Sequence, residues 1–253
     1  THGSYSNYDT HVPLVWYGWK VKPGESSVEA AVSDKTCAIM LEPLQGEGGI
    51  INADPAFLKA VRELANKHNA LVIFDEVQTG VGRTGELYAY MGTDIVPDIL
   101  TTAKALGGGF PIAAMLTTAE IAEHLKVGTH GSTYGGNPLA CVVAMEALQV
   151  LVDENMAEQA EASGQYLRRQ LRALNSPFIS LVRGKGLLNA IVLNTTDMEL
   201  GWNICLALRD NGLLAKPTHG DKIRFAPPLV MTEEQLRECI DIIAKTLAQF
   251  ESN

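Results

Sequence analysis

Ala70-Leu-Val-Ile-Phe-Asp-Glu-Val-Gln-Thr-Gly80 and Ile99-Leu-Thr-Thr-Ala-Lys-Ala-Leu-Gly-Gly-Gly109 decide the fold, because each begins as an apolar run and stops at a charge. The first run ends at Asp75-Glu76, the second at Lys104, ahead of three glycines. Short β-rich runs of this kind read as strands buried on both faces of a parallel sheet flanked by helices. Ligands of such sheets sit beyond the carboxyl ends of the strands. An acid and a lysine are therefore expected at one sheet edge.

The surrounding chain supports this. Cys37 to Leu41 reads as a buried strand followed by the glycine-rich loop Gln45-Gly-Glu-Gly-Gly49. Asp54-Pro55 opens a helix with Phe57, Leu58, Val61, Leu64 and Ala65 on one face, completing a strand-helix-strand unit with Ala70 to Phe74. Ile112 to Leu116 reads as a strand, Ala119 to Leu125 as a short helix, and Asn137-Pro138 as the start of a long one. A further helix from Met156 to Leu174 leads to a boundary at Asn175-Ser-Pro177. Beyond it lie two strands (179–182 and 187–193), a helix (198–209), a strand (222–225) and a last helix (233–250), a small α/β layer of its own. Residues 1–30 read as irregular, with one strand near Val12 to Tyr17. The expected division is a large domain over 1–150, linking helices over 151–175, and a small C-terminal α/β domain over 176–253.

The 253 residues, 46% hydrophobic, suffice for a sizeable core. The formal charge of -9 argues against nucleic acid or an anionic membrane as the main partner. Cys37, Cys141, Cys205 and Cys239 have no metal-ligand spacing, so no metal is expected. Three of them lie in apolar contexts, which reads as buried free thiols in a reducing compartment, and no apolar run approaches the roughly 18 residues of a membrane span. A cytoplasmic protein is expected.

Several chemistries compete for the two runs. An apolar strand ending in Asp-Glu also holds magnesium in nucleoside triphosphatases, but no GxxxxGK[ST] loop is present. Gly80, Gly82 and Gly85 match GxGxxG, yet they fall after the strand has ended in two charges, which weakens dinucleotide binding. A lysine between an apolar strand and three glycines would be partly desolvated, which makes it a nucleophile toward carbonyls. Asp75, about thirty residues earlier, could face it across a ligand. That pair fits pyridoxal phosphate, whose ring nitrogen is kept protonated by an acid. A helix cap or an ion pair with Arg83 is the alternative for Asp75.

Five motifs in series then carry a resemblance. Glu42-Pro-Leu-Gln-Gly-Glu-Gly-Gly49, Phe74-Asp-Glu-Val-Gln-Thr-Gly80, Arg83-Thr-Gly85, Thr102-Ala-Lys-Ala-Leu-Gly-Gly108 and His130-Gly-Ser-Thr-Tyr-Gly-Gly-Asn-Pro138 resemble the class III, or ω-amino acid, pyridoxal phosphate aminotransferases. The resemblance runs from about residue 35 to the end, and implies a fold-type-I α/β architecture. It implies that Lys104 bonds to the cofactor and moves the reacting proton, that Asp75 pairs with the ring nitrogen, that Gln78 contacts the phenolic oxygen, and that Val77 packs on the ring. Ser132 and Thr133 would donate to the cofactor phosphate of the neighbouring subunit of a homodimer.

Asn211 to Gly220 and Ile223 to Leu229 are similar to segments of ornithine aminotransferases, whereas the stretch around Asp75 and Lys104 is closer to acetylornithine aminotransferases. Glu42, Glu47 and Arg224 are the implied substrate-binding residues, with Arg224 on the α-carboxylate of 2-oxoglutarate or glutamate and Glu47 covering that arginine while the amino donor is bound. A strand-end surface charge is the plain alternative for Arg224. The implied reaction transfers an amino group from ornithine or N-acetylornithine to 2-oxoglutarate, in arginine and ornithine metabolism. Another ω-amine transaminase, an aminomutase, or an inactive binding domain are the alternatives. The family's N-terminal phosphate-cradling turn and stacking aromatic are not identifiable in residues 1–34, so the chain reads as a fragment of a longer enzyme or as a shortened homologue.

Overall fold

The computed structural model describes residues 14–16 and 32–251, the first three by their backbone. In chain order the strands are β1 (Leu14–Trp16), β2 (Ala38–Leu41), β3 (Leu44–Gln45), β4 (Ile51–Asn52), β5 (Leu71–Asp75), β6 (Ile99–Thr102), β7 (Ala114–Thr117), β8 (Ile179–Lys185), β9 (Leu188–Leu193), β10 (Lys216–Thr218) and β11 (Lys222–Phe225). The helices are α1 (Pro55–Lys67), α2 (Ala119–Ala122), α3 (Pro138–Asp153), α4 (Met156–Ala173), α5 (Leu200–Asp210) and α6 (Glu233–Glu251). Apart from β1, the expected irregular stretch at 1–30 lies outside the described residues.

The first sheet runs β1-β2-β5-β6-β7, parallel except for β7, which is antiparallel to β6. The α1 helix starts where the Asp54 side chain accepts from Ala56 N at 2.7 Å, with Pro55 supplying a position that needs no donor. Its buried face, Leu58, Val61, Leu64 and Ala65, packs with Ile39, Leu41, Val72 and Phe74 of the sheet. Ile39, Val61, Val72 and Phe74 are wholly buried, each stabilising the fold by about 1.5–3 kcal/mol. The other edge differs: Ala114, Met115 and Leu116 of β7 are exposed.

The second sheet, β10-β11-β9-β8, is antiparallel throughout. Leu171 of α4, Ile204 and Leu208 of α5 and Ile243 of α6 bury against Ile191 and Ile223 of this sheet. Sequence reasoning expects no strand at 216–218, where Pro217 disguises β10; proline is tolerated there because β10 is an edge strand. The glycine-rich loop is likewise more ordered than expected, since β3 and β4 close it as a hairpin.

The β8–β9 turn at Gly186 is held by α4 and by the loop that follows β5. Arg168 of α4, 8% exposed, donates to Gly186 O at 2.9 Å and to Asn189 Oδ1 at 2.8 Å, while Gly186 N donates to Glu161 Oε2 at 2.9 Å. A side chain on Gly164 would fall 1.7 Å from Gly186 O, so glycine is required for helix and turn to approach this closely. From the neighbouring loop, Arg83 Nη1 donates to Leu187 O at 3.1 Å and to Pro227 O at 2.6 Å.

Candidate active site

The expected edge forms at the carboxyl ends of β2, β5 and β6. Asp75 is the last residue of β5 and the register partner of Thr101 on β6. Its Oδ1 accepts from Val77 N at 3.0 Å and from the Thr101 hydroxyl at 3.4 Å, which holds the carboxylate at the strand end. The Arg83 guanidinium, pulled below its ordinary pKa by burial, spends its Nη1 on two carbonyls and not on Asp75.

Lys104 follows two residues after β6 and takes φ +48°, a left-handed conformation uncommon outside glycine. It opens a 3₁₀ turn, Lys104–Gly107, that Gly108 closes at φ +55°. A left-handed residue costs of order 1–3 kcal/mol and persists only where the surrounding structure holds it. The shielding expected for Lys104 is not met: it is exposed, as are Gly108 and Gly109.

Glu76 points the other way and is 1% exposed. Its carboxylate accepts from Ala89 N at 2.6 Å, Tyr90 N at 2.9 Å and the Thr79 hydroxyl at 2.9 Å. Burial raises its pKa, and those three donors oppose the rise. The acid pair is thereby split into one anchor, Glu76, and one group at the edge, Asp75. Gln78, on the turn that Glu76 pins, faces the glycine loop, for a Cβ on Gly46 would fall 2.6 Å from its amide nitrogen.

Glu42, immediately after β2, accepts from Gly46 N at 3.2 Å. Its pKa is raised, chiefly by burial and further by the charge of Asp75, against the Gly46 amide and the charges of Lys104 and Arg224. Glu42 therefore shares one electrostatic neighbourhood with Asp75, Lys104 and Arg224. Arg224 comes from the second sheet: its Nη1 donates to Glu47 Oε2 at 3.0 Å, with its own side chain only 15% exposed. A strand-end surface charge does not describe it.

Ser132 and Thr133 stand apart from this cluster, exposed in a loop ahead of α3. Ser132 Oγ accepts from Gly135 N at 2.9 Å, and Cβ atoms placed on Gly131 or Gly136 would meet nothing within 4 Å. Thr101, Lys216 and Arg183 are site neighbours that sequence reasoning missed. Thr101 follows from the β5–β6 register. Lys216 was hidden in an unrecognised strand, whereas Arg183, which donates to Gly49 O at 2.8 Å, gave no sequence signal.

The donor set can be compared with known proteins. The family model described as aminotransferase class-III matches residues 23–247. The chain is 64% identical over 228 residues to the acetylornithine aminotransferase of Shewanella oneidensis, covering 89% of this chain and 55% of that relative. It is 54% identical over 224 residues to the mitochondrial ornithine aminotransferase of Drosophila melanogaster, covering 88% and 52%. A crystal structure of the Toxoplasma gondii ornithine aminotransferase, described as having pyridoxal phosphate at partial occupancy in its active site, superposes with a TM-score of 0.84. It is 43% identical, over 88% of this chain and 53% of that one. The chain spans about half the length of these relatives. The match runs through the edge that carries Asp75 and Lys104 and through the strand that carries Arg224, and it places this chain in the class-III aminotransferase family.

Proposed function

We propose that the chain carries the site of a pyridoxal phosphate-dependent aminotransferase that moves an amino group from ornithine or N-acetylornithine to 2-oxoglutarate. The observation that carries this reading is Asp75 at the end of β5, register-paired with Thr101 three residues before Lys104, together with Glu47 bonded to Arg224 from the loop that follows Glu42. The cofactor suits this donor set: an acid at one strand end, a lysine beyond the next, and Gly46 leaving room for Gln78. When bound, pyridoxal phosphate supplies an electron sink for the substrate carbon.

The residues divide the work. Lys104 would hold the cofactor through its Nζ, and the same amine would carry a proton to and from the substrate carbon. Asp75 holds a proton at the ring nitrogen, since a fixed carboxylate beside a nitrogen base favours the charged form. Gln78 would donate to the phenolic oxygen and Val77 would pack on the ring. Arg224 binds the α-carboxylate of the acceptor with a planar fork of donors. Glu42 and Glu47 set the charge around it. Ser132 and Thr133 hold the phosphate of a neighbouring subunit, a reading supported by their exposure and by the exposed apolar Val127, Tyr134 and Leu139 near them.

The division into a large domain to about residue 150 and a small one from 176 is part of this proposal, as is a cytoplasmic setting, which the absence of disulfides among the described cysteines suits. Among the described residues no helix is long and apolar enough to cross a membrane. The test is donor profiling of the cofactor-loaded chain with ornithine, N-acetylornithine and 4-aminobutyrate. Cofactor absorbance that changes with the first or second and recovers with 2-oxoglutarate is expected. Turnover with 4-aminobutyrate alone would assign a different ω-amine reaction, and no response to any donor would contradict the reading.

A further inference from the structure

Among the described residues Glu47 pairs with two cationic side chains, and only one of them belongs to the site described above. Its Oε2 accepts from Arg224 Nη1 at 3.0 Å and from Lys216 Nζ at 3.0 Å, and its Oε1 accepts from Lys216 at 3.2 Å. Lys216 and Arg224 are register partners on β10 and β11, so the sheet fixes their spacing. The three side chains differ in burial: 15% exposed for Arg224, 46% for Glu47 and 57% for Lys216. The carboxylate thus bridges an inner cation and an outer one.

The loop beneath Glu47 is pinned. Arg183 Nε donates to Gly49 O at 2.8 Å. Ile50 is wholly buried at φ +60°, a conformation costly for a β-branched residue and held only by its surroundings. A Cβ on Gly49 would fall 2.5 Å from Lys222 Cδ. With the base of the loop held, displacement of Glu47 from Arg224 would fall to rotation of its side chain.

We propose that Lys216 is a positioning residue that retains the Glu47 carboxylate when a substrate carboxylate takes Arg224, and so sets how readily the site admits the diacid acceptor. The inference rests on the reading of Arg224 as the carboxylate-binding residue. In the donor half of the reaction Glu47 stays on Arg224, and Lys216 has little to do. In the acceptor half the incoming carboxylate displaces Glu47, whose charge must go either to water or to Lys216. Without Lys216 the Glu47–Arg224 pair is unshared and harder to open. The exposure of Lys216 keeps the effect modest, because exposed ion pairs contribute little.

The test uses the cofactor-loaded full chain and follows the two half-reactions separately by cofactor absorbance, with the preferred donor in one direction and 2-oxoglutarate in the other. Lys216→Met is expected to raise the half-saturating 2-oxoglutarate concentration about 3- to 5-fold while leaving that of the donor within about twofold. Lys216→Arg is expected to restore most of the loss. In a Glu47→Gln background the Lys216→Met effect should largely vanish, since Lys216 acts through Glu47.

An unchanged 2-oxoglutarate response, an equal shift in both half-reactions, or a full effect persisting in Glu47→Gln would overturn the inference while leaving the aminotransferase reading intact. Absence of both half-reactions in the unmodified chain would overturn the reading and the inference together.

Discussion

Asp75 and Thr101 face each other as register partners at the ends of β5 and β6, with the threonine hydroxyl 3.4 Å from the carboxylate. A parallel pairing thereby delivers the acid and, three residues after its partner, the lysine to one place. If Asp75 holds a proton at the cofactor nitrogen, Asp75→Asn should weaken pyridoxal phosphate binding about 10- to 100-fold, the range for losing a hydrogen bond to a charged group. Thr101→Val should cost less, about 2- to 5-fold. Fluorescence titration with the cofactor measures both, and circular dichroism should show both variants folded.

Thr133 tests the proposed sharing between subunits. Thr133→Ala and Lys104→Ala are each expected to lose nearly all activity. If the phosphate grip comes from a neighbour, unfolding and refolding the two variants together should restore about a quarter of the unmodified activity, because half of the dimers are mixed and each has one intact site. No recovery on mixing would place Thr133 and Lys104 in the same site of one chain.

The bridge from Glu47 to Arg224 and Lys216 is pH-dependent. Burial works to raise its pKa, but the Lys216 hydrogen bond and the charges of Arg224 and Lys216 prevail and hold it below the ordinary 4.5. The folded state then binds fewer protons than the unfolded one, so this contribution is fully present above about pH 4.5 and is lost as pH falls through the folded value. Urea unfolding at a series of pH values should show the unmodified chain more stable than Glu47→Gln above pH 4.5, with the difference closing below it. Glu42 and Glu76, whose pKa values are raised, are common to both proteins and cancel in the comparison.

Gly164 gives a prediction whose sign runs against helix propensity. Alanine in place of a mid-helix glycine ordinarily stabilises by about 1 kcal/mol. Here the new methyl would fall 1.7 Å from Gly186 O, and overpacking of this kind costs roughly 1–3 kcal/mol or more. Gly164→Ala should lower Tm by about 4–10 °C in differential scanning calorimetry. A rise would mean that α4 and the 186 turn separate easily.

Much of this was legible beforehand because it depends on local chemistry. Abrupt changes from apolar run to charge located β5, β6, Asp75 and the neighbourhood of Lys104. Asp54-Pro55 and Asn137-Pro138 located two helix starts within a residue. What stayed hidden depends on pairing across the chain. β10 is only three residues long and its middle residue is proline, so nothing in its own sequence reveals that it aligns Lys216 with Arg224. The separate fates of Asp75 and Glu76 were equally hidden, because the donors of Ala89 and Tyr90 that claim Glu76 come from a turn more than ten residues away. The exposure of Lys104 could not be read either, since it depends on what packs over the sheet edge and not on the lysine's neighbours in sequence.

The most direct measurement concerns the lysine itself. The chain is incubated with pyridoxal phosphate, reduced with borohydride, digested, and analysed by peptide mass spectrometry. The reduced cofactor should be found on the peptide containing Lys104, and Lys104→Ala should carry none. Cofactor trapped on another lysine, or retained at equal yield in Lys104→Ala, would contradict the assignment of this site.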